Sequence, residues 1–260
     1  MRRRLAAGVA AAAVLFLLIP ACASQKTRTS ADVLLKERMA AVLLREGRAS
    51  EAEATFREVL KDDPHNPEIY DGLGAALMMQ GKMREALTYL DKAVELAPEK
   101  PAYRINRGLA LLEAGRYEEA EADFLIADTS PLPGDRQAAA LNRGRLRQRQ
   151  GDFAGAEVQF TNALSRDPRS FAALIGRGVA REASGQLEPA AEDYLEAVKL
   201  QPKNPEANLR LGLVLLSLRR ESLGRRYLER TLELDPAGDS GAKARTLLEA
   251  TINPRTPSSR

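Results

Sequence analysis

From Ser30 to about residue 252 the apolar positions never settle into the every-second-residue alternation of a strand. Aromatics are few in this region, and Ala, Leu, Glu and Arg, all good helix formers, dominate. The pattern predicts an all-α chain. Ser30 is placed to cap the first helix, with Asp32 in its first turn, where a negative charge meets the helix dipole favourably. Upstream, Arg2, Arg3 and Arg4 precede an apolar run from Leu5 to Ile19, broken only by Gly8 and ended by Pro20. Those fifteen residues fall short of the roughly 20 that span ~30 Å of hydrocarbon. A basic start, a short apolar core and small residues at its end predict a secretory signal peptide over 1–21. The polar stretch from Ala23 to Thr29 reads as a flexible tether within a 22–32 linking segment.

The helical region repeats itself. Gly74, Gly108, Gly144, Gly178 and Gly212 are spaced 34, 36, 34 and 34 residues apart. Pro64, Pro98, Pro168, Pro202 and Pro236 keep the same beat, as do Ala52, Ala86, Ala120, Ala156 and Ala190. Four residues after each Ala stands a large side chain: Phe56, Leu90, Phe124, Phe160 and Tyr194. Each mark has a physical reason. Small residues let two helices approach closely, the large side chain fills the space between repeats, and Pro stops the second helix.

This period and these marks resemble the tetratricopeptide repeat. The resemblance implies a right-handed superhelix of six repeats over 33–238, starting near Val33, Pro67, Pro101, Gln137, Phe171 and Pro205. The end repeats depart from the pattern: Ala40 replaces Gly in the first, and Arg219 and Gly224 replace Gly and Ala in the last. Atypical ends are expected where a repeat faces water. A helix from about Ser240 to Ile252, in a 239–252 segment, reads as a cap, and residues 253–260 as a disordered tail. Between the third and fourth repeats, Asp128 to Arg136 adds two residues, read either as a tolerated loop extension or as a bend.

In that family a set of positions on each first helix lines the concave groove. Carried over by register, they are Leu34, Ala41 and Leu44, then Ala75, Met78 and Met79, then Ile105, Leu109 and Leu112. The strip is largely apolar, bordered by Glu37, Asp71 and Glu113, and other positions already supply the core stripe. A second apolar face implies docking of an amphipathic helix or extended peptide. In the fourth repeat Arg145 and Arg149 turn toward the groove with Gln148 between them, whereas Arg143 and Arg147 point elsewhere. Arg107, Arg143 and Arg177 stand where Leu is common, so their stems are expected to pack while their heads stay in solvent. Carboxylate-clamp repeats use Lys and Asn in their first repeat. Here those positions are Glu37 and Ala41, which argues against chaperone tails as partners.

Cys22 is the one cysteine in the chain, and Ile19-Pro20-Ala21-Cys22 resembles a bacterial lipoprotein signal. The resemblance implies lipidation of the Cys22 thiol and a stable membrane anchor through more than one acyl chain, palmitate among them. Ala23, rather than Asp, follows the Cys, which in enterobacterial lipoproteins points to the outer membrane. Removing residues 1–21 takes away three Arg and no acid, so 39 Lys+Arg against 36 Asp+Glu becomes 36 against 36. A neutral mature chain gives no reason to expect nucleic acid.

Catalytic chemistry is hard to assemble. His65, the sole histidine, lies in a turn with no second His or spare Cys to complete a metal site. Asp71-Gly72-Leu73-Gly74 contains Gly-x-Gly but lacks the preceding strand of a phosphate loop. Glu118 and Glu119 fall on exposed helix positions. No nucleophile–base set and no cofactor are expected.

Signal peptide, lipidated Cys, tether, six repeats and a lengthened third-to-fourth junction together resemble the type IV pilus biogenesis lipoproteins, the PilF, PilW and Tgl pilotins. That resemblance implies a scaffold in the bacterial envelope, anchored in the outer membrane facing the periplasm, that brings the secretin pore to its place and helps it multimerise. The cysteine pair of some relatives is absent here. A Tad-type pilus lipoprotein, an adaptor for peptidoglycan hydrolases or a subunit of outer-membrane protein assembly would share the same anchor and fold.

Overall fold

The computed structural model describes the backbone of residues 19–252 and the side chains of 31–250. The signal segment up to residue 18, the Cys22 side chain and the tail at 253–260 lie outside the described residues. Among those described, thirteen helices and no strand are found, in two compact units that divide between Glu99 and Lys100.

The first unit contains α1 (Ile19–Arg45), α2 (Ala49–Asp62), α3 (Pro67–Met79) and α4 (Met83–Leu96). The second contains α5 (Pro101–Glu113), α6 (Tyr117–Asp128), α7 (Pro133–Arg149), α8 (Phe153–Arg166), α9 (Phe171–Ala183), α10 (Leu187–Leu200), α11 (Pro205–Ser217), α12 (Glu221–Leu234) and α13 (Asp239–Ile252). Helices pair in sequence order, and α3, α5, α9 and α11 start at Pro67, Pro101, Phe171 and Pro205, where the repeat register placed them. Proline opens three of these four, at a position where its missing N–H costs no helical bond. Asn66, Asp152 and Asn204 cap α3, α8 and α11 by accepting backbone N–H bonds.

Two stretches differ from expectation. Helix α1 is described from Ile19 to Arg45, so the 23–29 stretch read as a tether lies within it. Ala21, Ala23, Gln25, Lys26 and Arg28 all favour helix. Helix α7 begins at Pro133 rather than near Gln137, and runs 17 residues against 13 for α5 and α9. Helix α6 is correspondingly short, at 12 residues against 14 for α4, so the two extra residues and two given up by α6 together lengthen α7 by one turn. The short link before it is tied down. Buried Ser130 donates to Asp135 Oδ2 (2.6 Å), and Arg136 donates to the Ser130 carbonyl (2.8 Å).

A second glycine series closes the turns inside the repeats. Gly47, Gly81, Gly115, Gly151 and Gly185 hold φ between +75 and +78°, and Arg219 holds +58° at the sixth turn. Each turn sends two backbone bonds back to the first helix, as with Gly81 N–H to Met78 (2.9 Å) and Lys82 N–H to Leu77 (2.9 Å). Arg219 is the only non-glycine at positive φ among the described residues, a costlier choice at the end of the array.

The cores follow the large-residue series. Phe56, Leu90, Phe124, Phe160 and Tyr194 are all essentially buried, and Leu228 continues the row. They press on glycines: a Cβ on Gly108 would come within 2.5 Å of Phe124, and one on Gly178 within 2.5 Å of Tyr194. Gly72 belongs to the same set, since a Cβ there would meet the Phe56 ring at 2.3 Å. The Gly-x-Gly of α3 is therefore a packing device.

The arginine series corrects one expectation. Arg107, Arg143 and Arg177 do not hold their heads in solvent; their side chains are 23, 15 and 19 % exposed and paired to carboxylates. Arg107 grips buried Asp123 through two bonds of 2.7 Å, and Arg177 grips buried Asp193 likewise at 3.0 and 2.7 Å. Each Asp lies 16 residues beyond its Arg, on the second helix of the same repeat. In the fourth repeat that acid position is Gln159, so Arg143 turns to Glu121 (3.0 Å) and Asp128 (3.5 Å) instead. The buried Gln159 Oε1 is left without a protein partner.

Candidate functional site

In the second unit the first helices α5, α7 and α9 lie beside one another, which sets their exposed sides along one face. On it lies a cleft of about 450 Å³ lined by Leu109, Leu112, Glu113, Arg145, Gln148, Arg149, Phe153 and Val179. Four residues singled out from the sequence, Leu109, Leu112, Arg145 and Arg149, therefore meet in one place. Arg145 and Arg149 are one helical turn apart and share a side of α7. Arg149 pairs with Glu113 across to α5 at 3.1 Å, both largely exposed. Arg145 donates to Oδ1 of the buried Asn142 at 3.1 Å. Gln148 donates to the Gly176 carbonyl of α9 at 3.0 Å and so fixes the cleft floor. Phe153 and Val179 complete the lining and were not read as groove residues from the sequence. Their contribution depends on how α8 and α9 close against α7, which register along the first helices does not convey.

Not every expected groove side chain is free to bind. Ile105 and Leu112 are 8 and 2 % exposed, and Ile105 packs with Ala127 and Ala139. Leu109 is half-buried against that cluster. Leu112 thus contributes to the cleft wall while belonging mainly to the interior.

In the first unit Leu34 is 47 % exposed and, with Glu37, lines a separate cleft of about 920 Å³ shared by Leu35, Met39, Lys36, Asp63 and Asn66. Leu44 packs on the core around Phe56 and Leu73. Ala41, Ala75, Met78 and Met79 line neither of these clefts; Met79 is 53 % exposed at the end of α3. Leu35, Met39 and Val42, spaced four and three apart on α1, form an exposed apolar stripe that register alone missed. The spacing is visible in the sequence once α1 is recognised as the first helix of the described array.

Burial raises the Glu37 carboxyl above its usual range, and Glu68 and Asp63 add to this against the hydrogen bond from Asn66. An acid that holds its proton more tightly folded than unfolded loses stability as pH rises from the unfolded value, ~4.3, through the folded one. Glu37→Gln is therefore expected to raise the melting temperature at pH 7, with the difference vanishing below about pH 4. Thermal melts over that pH range check it.

Burial also separates two substitutions on the expected strip. Leu112→Glu places a charge in the interior and is expected to unfold the second unit, whereas Met79→Glu should leave helical content and melting unchanged. Circular dichroism of both variants decides the assignment.

Among the described residues no group of three or more His, Cys, Asp or Glu could hold a metal ion, and no helix is long and apolar enough to cross a membrane. His65 is exposed in the turn before α3.

Family models described as "Tetratricopeptide repeat" match residues 43–105 and 77–141, and again 141–205 and 183–239. The TPR repeat-containing thioredoxin TTL4 of Arabidopsis thaliana is 35% identical over 85 residues, 33% of this chain but 12% of its own length. The chain therefore spans a small part of that curated relative. Among solved structures, PilW, a "widely conserved type IV pilus biogenesis factor", superposes with a TM-score of 0.73 at 19% identity, over 85% of this chain and 98% of its own. PilF of Pseudomonas aeruginosa superposes at 0.70 with 17% identity, over 84% of this chain and 99% of its own. At such identities these two structures carry the fold alone. With the repeat models covering residues 43–239 and paired helices recurring at their period, the chain belongs to the tetratricopeptide repeat family.

Proposed function

We propose that this chain is a lipid-anchored scaffold of the bacterial envelope that docks a protein partner on the exposed face of its first helices, and that the partner is the secretin of a type IV pilus. The cleft formed by α5, α7, α8 and α9 carries the reading: apolar side chains and two arginines lie open on a rigid helical frame, the form expected of a groove for a helix or extended segment. The fold shared with PilW, named a type IV pilus biogenesis factor, favours a partner within pilus assembly. The Cys22 sequence supports the anchor, which would hold the scaffold at the outer membrane facing the periplasm.

Two experiments test the parts separately. Cys22→Ser should abolish labelling by palmitate and release the chain from membranes; continued labelling would remove the anchor. In cells, Val179→Gln, or Leu109→Gln should the first fail to fold, is expected to reduce heat-stable secretin multimers while the scaffold accumulates normally. Unchanged multimers with either folded variant would remove the secretin reading.

A further inference from the structure

The charged groups lining the second-unit cleft are not balanced. Glu113 already answers Arg149 at 3.1 Å, whereas Arg145 has Asn142 Oδ1, a neutral acceptor, as its partner among the described residues. Other carboxylates of the second unit have partners of their own: Glu182, one turn from Val179 on α9, accepts from the Tyr194 hydroxyl, Glu121 pairs with Arg143 and Arg147, Asp123 with Arg104 and Arg107, and Asp193 with Arg177 and Arg181. A guanidinium carries five N–H donors in a fixed fork, so the bond to Asn142 orients Arg145 without exhausting it. The buried Asn142 holds one edge, and the rest of the fork stays exposed beside Leu109, Phe153 and Val179. Apolar neighbours on a cleft wall lower the local dielectric and strengthen a charge-assisted bond made there.

Resting on the docking reading above, we infer that the cleft selects a segment of a protein partner carrying an Asp or Glu side chain close to an apolar one, with the carboxylate taken by Arg145 and the apolar group by Leu109, Phe153 and Val179. The volume of about 450 Å³ falls within the roughly 300–1,000 Å³ of ligand clefts. Arg149 and Glu113 frame the site as a pair that is already neutral.

The test is a phage-displayed library of random dodecapeptides panned over the immobilised full chain, and in parallel over folded Arg145→Met and Val179→Gln chains. On the wild-type chain, an Asp or Glu is expected at a fixed spacing from Leu, Ile, Phe or Met. On Arg145→Met the acidic preference should vanish while the apolar preference remains. Peptides selected on the wild type should bind Arg145→Met roughly ten- to a hundredfold more weakly, as expected for a lost bond to a charged group. Added salt should weaken wild-type binding but not binding to Arg145→Met. Apolar enrichment without an acid, or an acidic preference that survives Arg145→Met, would overturn the inference and leave the docking site standing. Selected peptides that bind Val179→Gln undiminished, or no enrichment on the wild type, would overturn the docking site itself. Leu109→Gln replaces Val179→Gln if that chain does not fold.

Discussion

Asp193→Ala is expected to cost the second unit about 3–5 kcal/mol, the range for breaking a buried ion pair from one side. Asp193 is 3 % exposed and receives hydrogen bonds from Arg177 and, at 2.9 Å, from Arg181. Removing it leaves two partly buried guanidinium groups short of their carboxylate, although Arg181 keeps Glu157 at 2.8 Å. The repeat itself supplies the control. One period along, Leu211 and Tyr227 occupy the positions of Arg177 and Asp193 and pack in one apolar cluster, and Leu73 with Tyr89 does the same in the second repeat. A buried ion pair and a well-packed apolar pair are often near equal in stability. Arg177→Leu with Asp193→Tyr should therefore recover much of what Asp193→Ala loses. Urea unfolding of the three chains measures it. A loss below about 1 kcal/mol for Asp193→Ala, the scale of exposed pairs, would show that the pair is solvated.

Phe160→Ala should be comparably damaging, about 3–5 kcal/mol for deleting a buried aromatic side chain. The ring is 1 % exposed and packs against two glycines, Gly144 in its own repeat and Gly176 in the next. A Cβ would approach it to 2.7 Å from Gly144 and to 2.5 Å from Gly176, and both would meet the ring at Cε1 and Cζ. A buried ring pressed this closely has little room, so Gly176→Ala should also destabilise, by overpacking rather than by a cavity. The signs can be told apart. Phe160→Leu, which frees space, should partly rescue Gly176→Ala while being harmful alone. Against a typical stability of roughly 5–15 kcal/mol, such losses would be plain in a denaturant melt.

The repeat was legible because its marks serve local needs. Prolines that stop helices, glycines that admit rings and aromatics that fill gaps are fixed by short-range geometry, and α3, α5, α9 and α11 start where those marks put them. What was not legible depends on partners brought in from elsewhere in the chain. The reach of Arg107 and Arg177 to Asp123 and Asp193 is a pairing across two helices, and no single-helix pattern announces it. A recurring Arg and Asp 16 residues apart in the third and fifth repeats was the available signal, and Gln159 broke it in the fourth. The groove shows the same division. Leu109, Arg145 and Arg149 line one cleft, because residues at matching positions of neighbouring first helices face alike. Register could not tell that Ile105 and Leu112 would be covered, since burial is set by the second helices packed against them. The helicity of 23–29 is hidden for a different reason: Ala23, Gln25, Lys26 and Arg28 favour helix, and a polar stretch without apolar periodicity can still be helical.

Protein docking on the first-helix face of the second unit is tested most directly by photo-crosslinking in cells. A photo-reactive amino acid at Arg149 sits in the cleft, and one at Val158, 56 % exposed on α8, sits outside it. Both positions are exposed, so neither substitution should disturb folding. The account predicts a single protein adduct from position 149, identified by mass spectrometry as the secretin, and none from position 158. An adduct from position 158 with nothing from position 149 would place the partner on another face and contradict it.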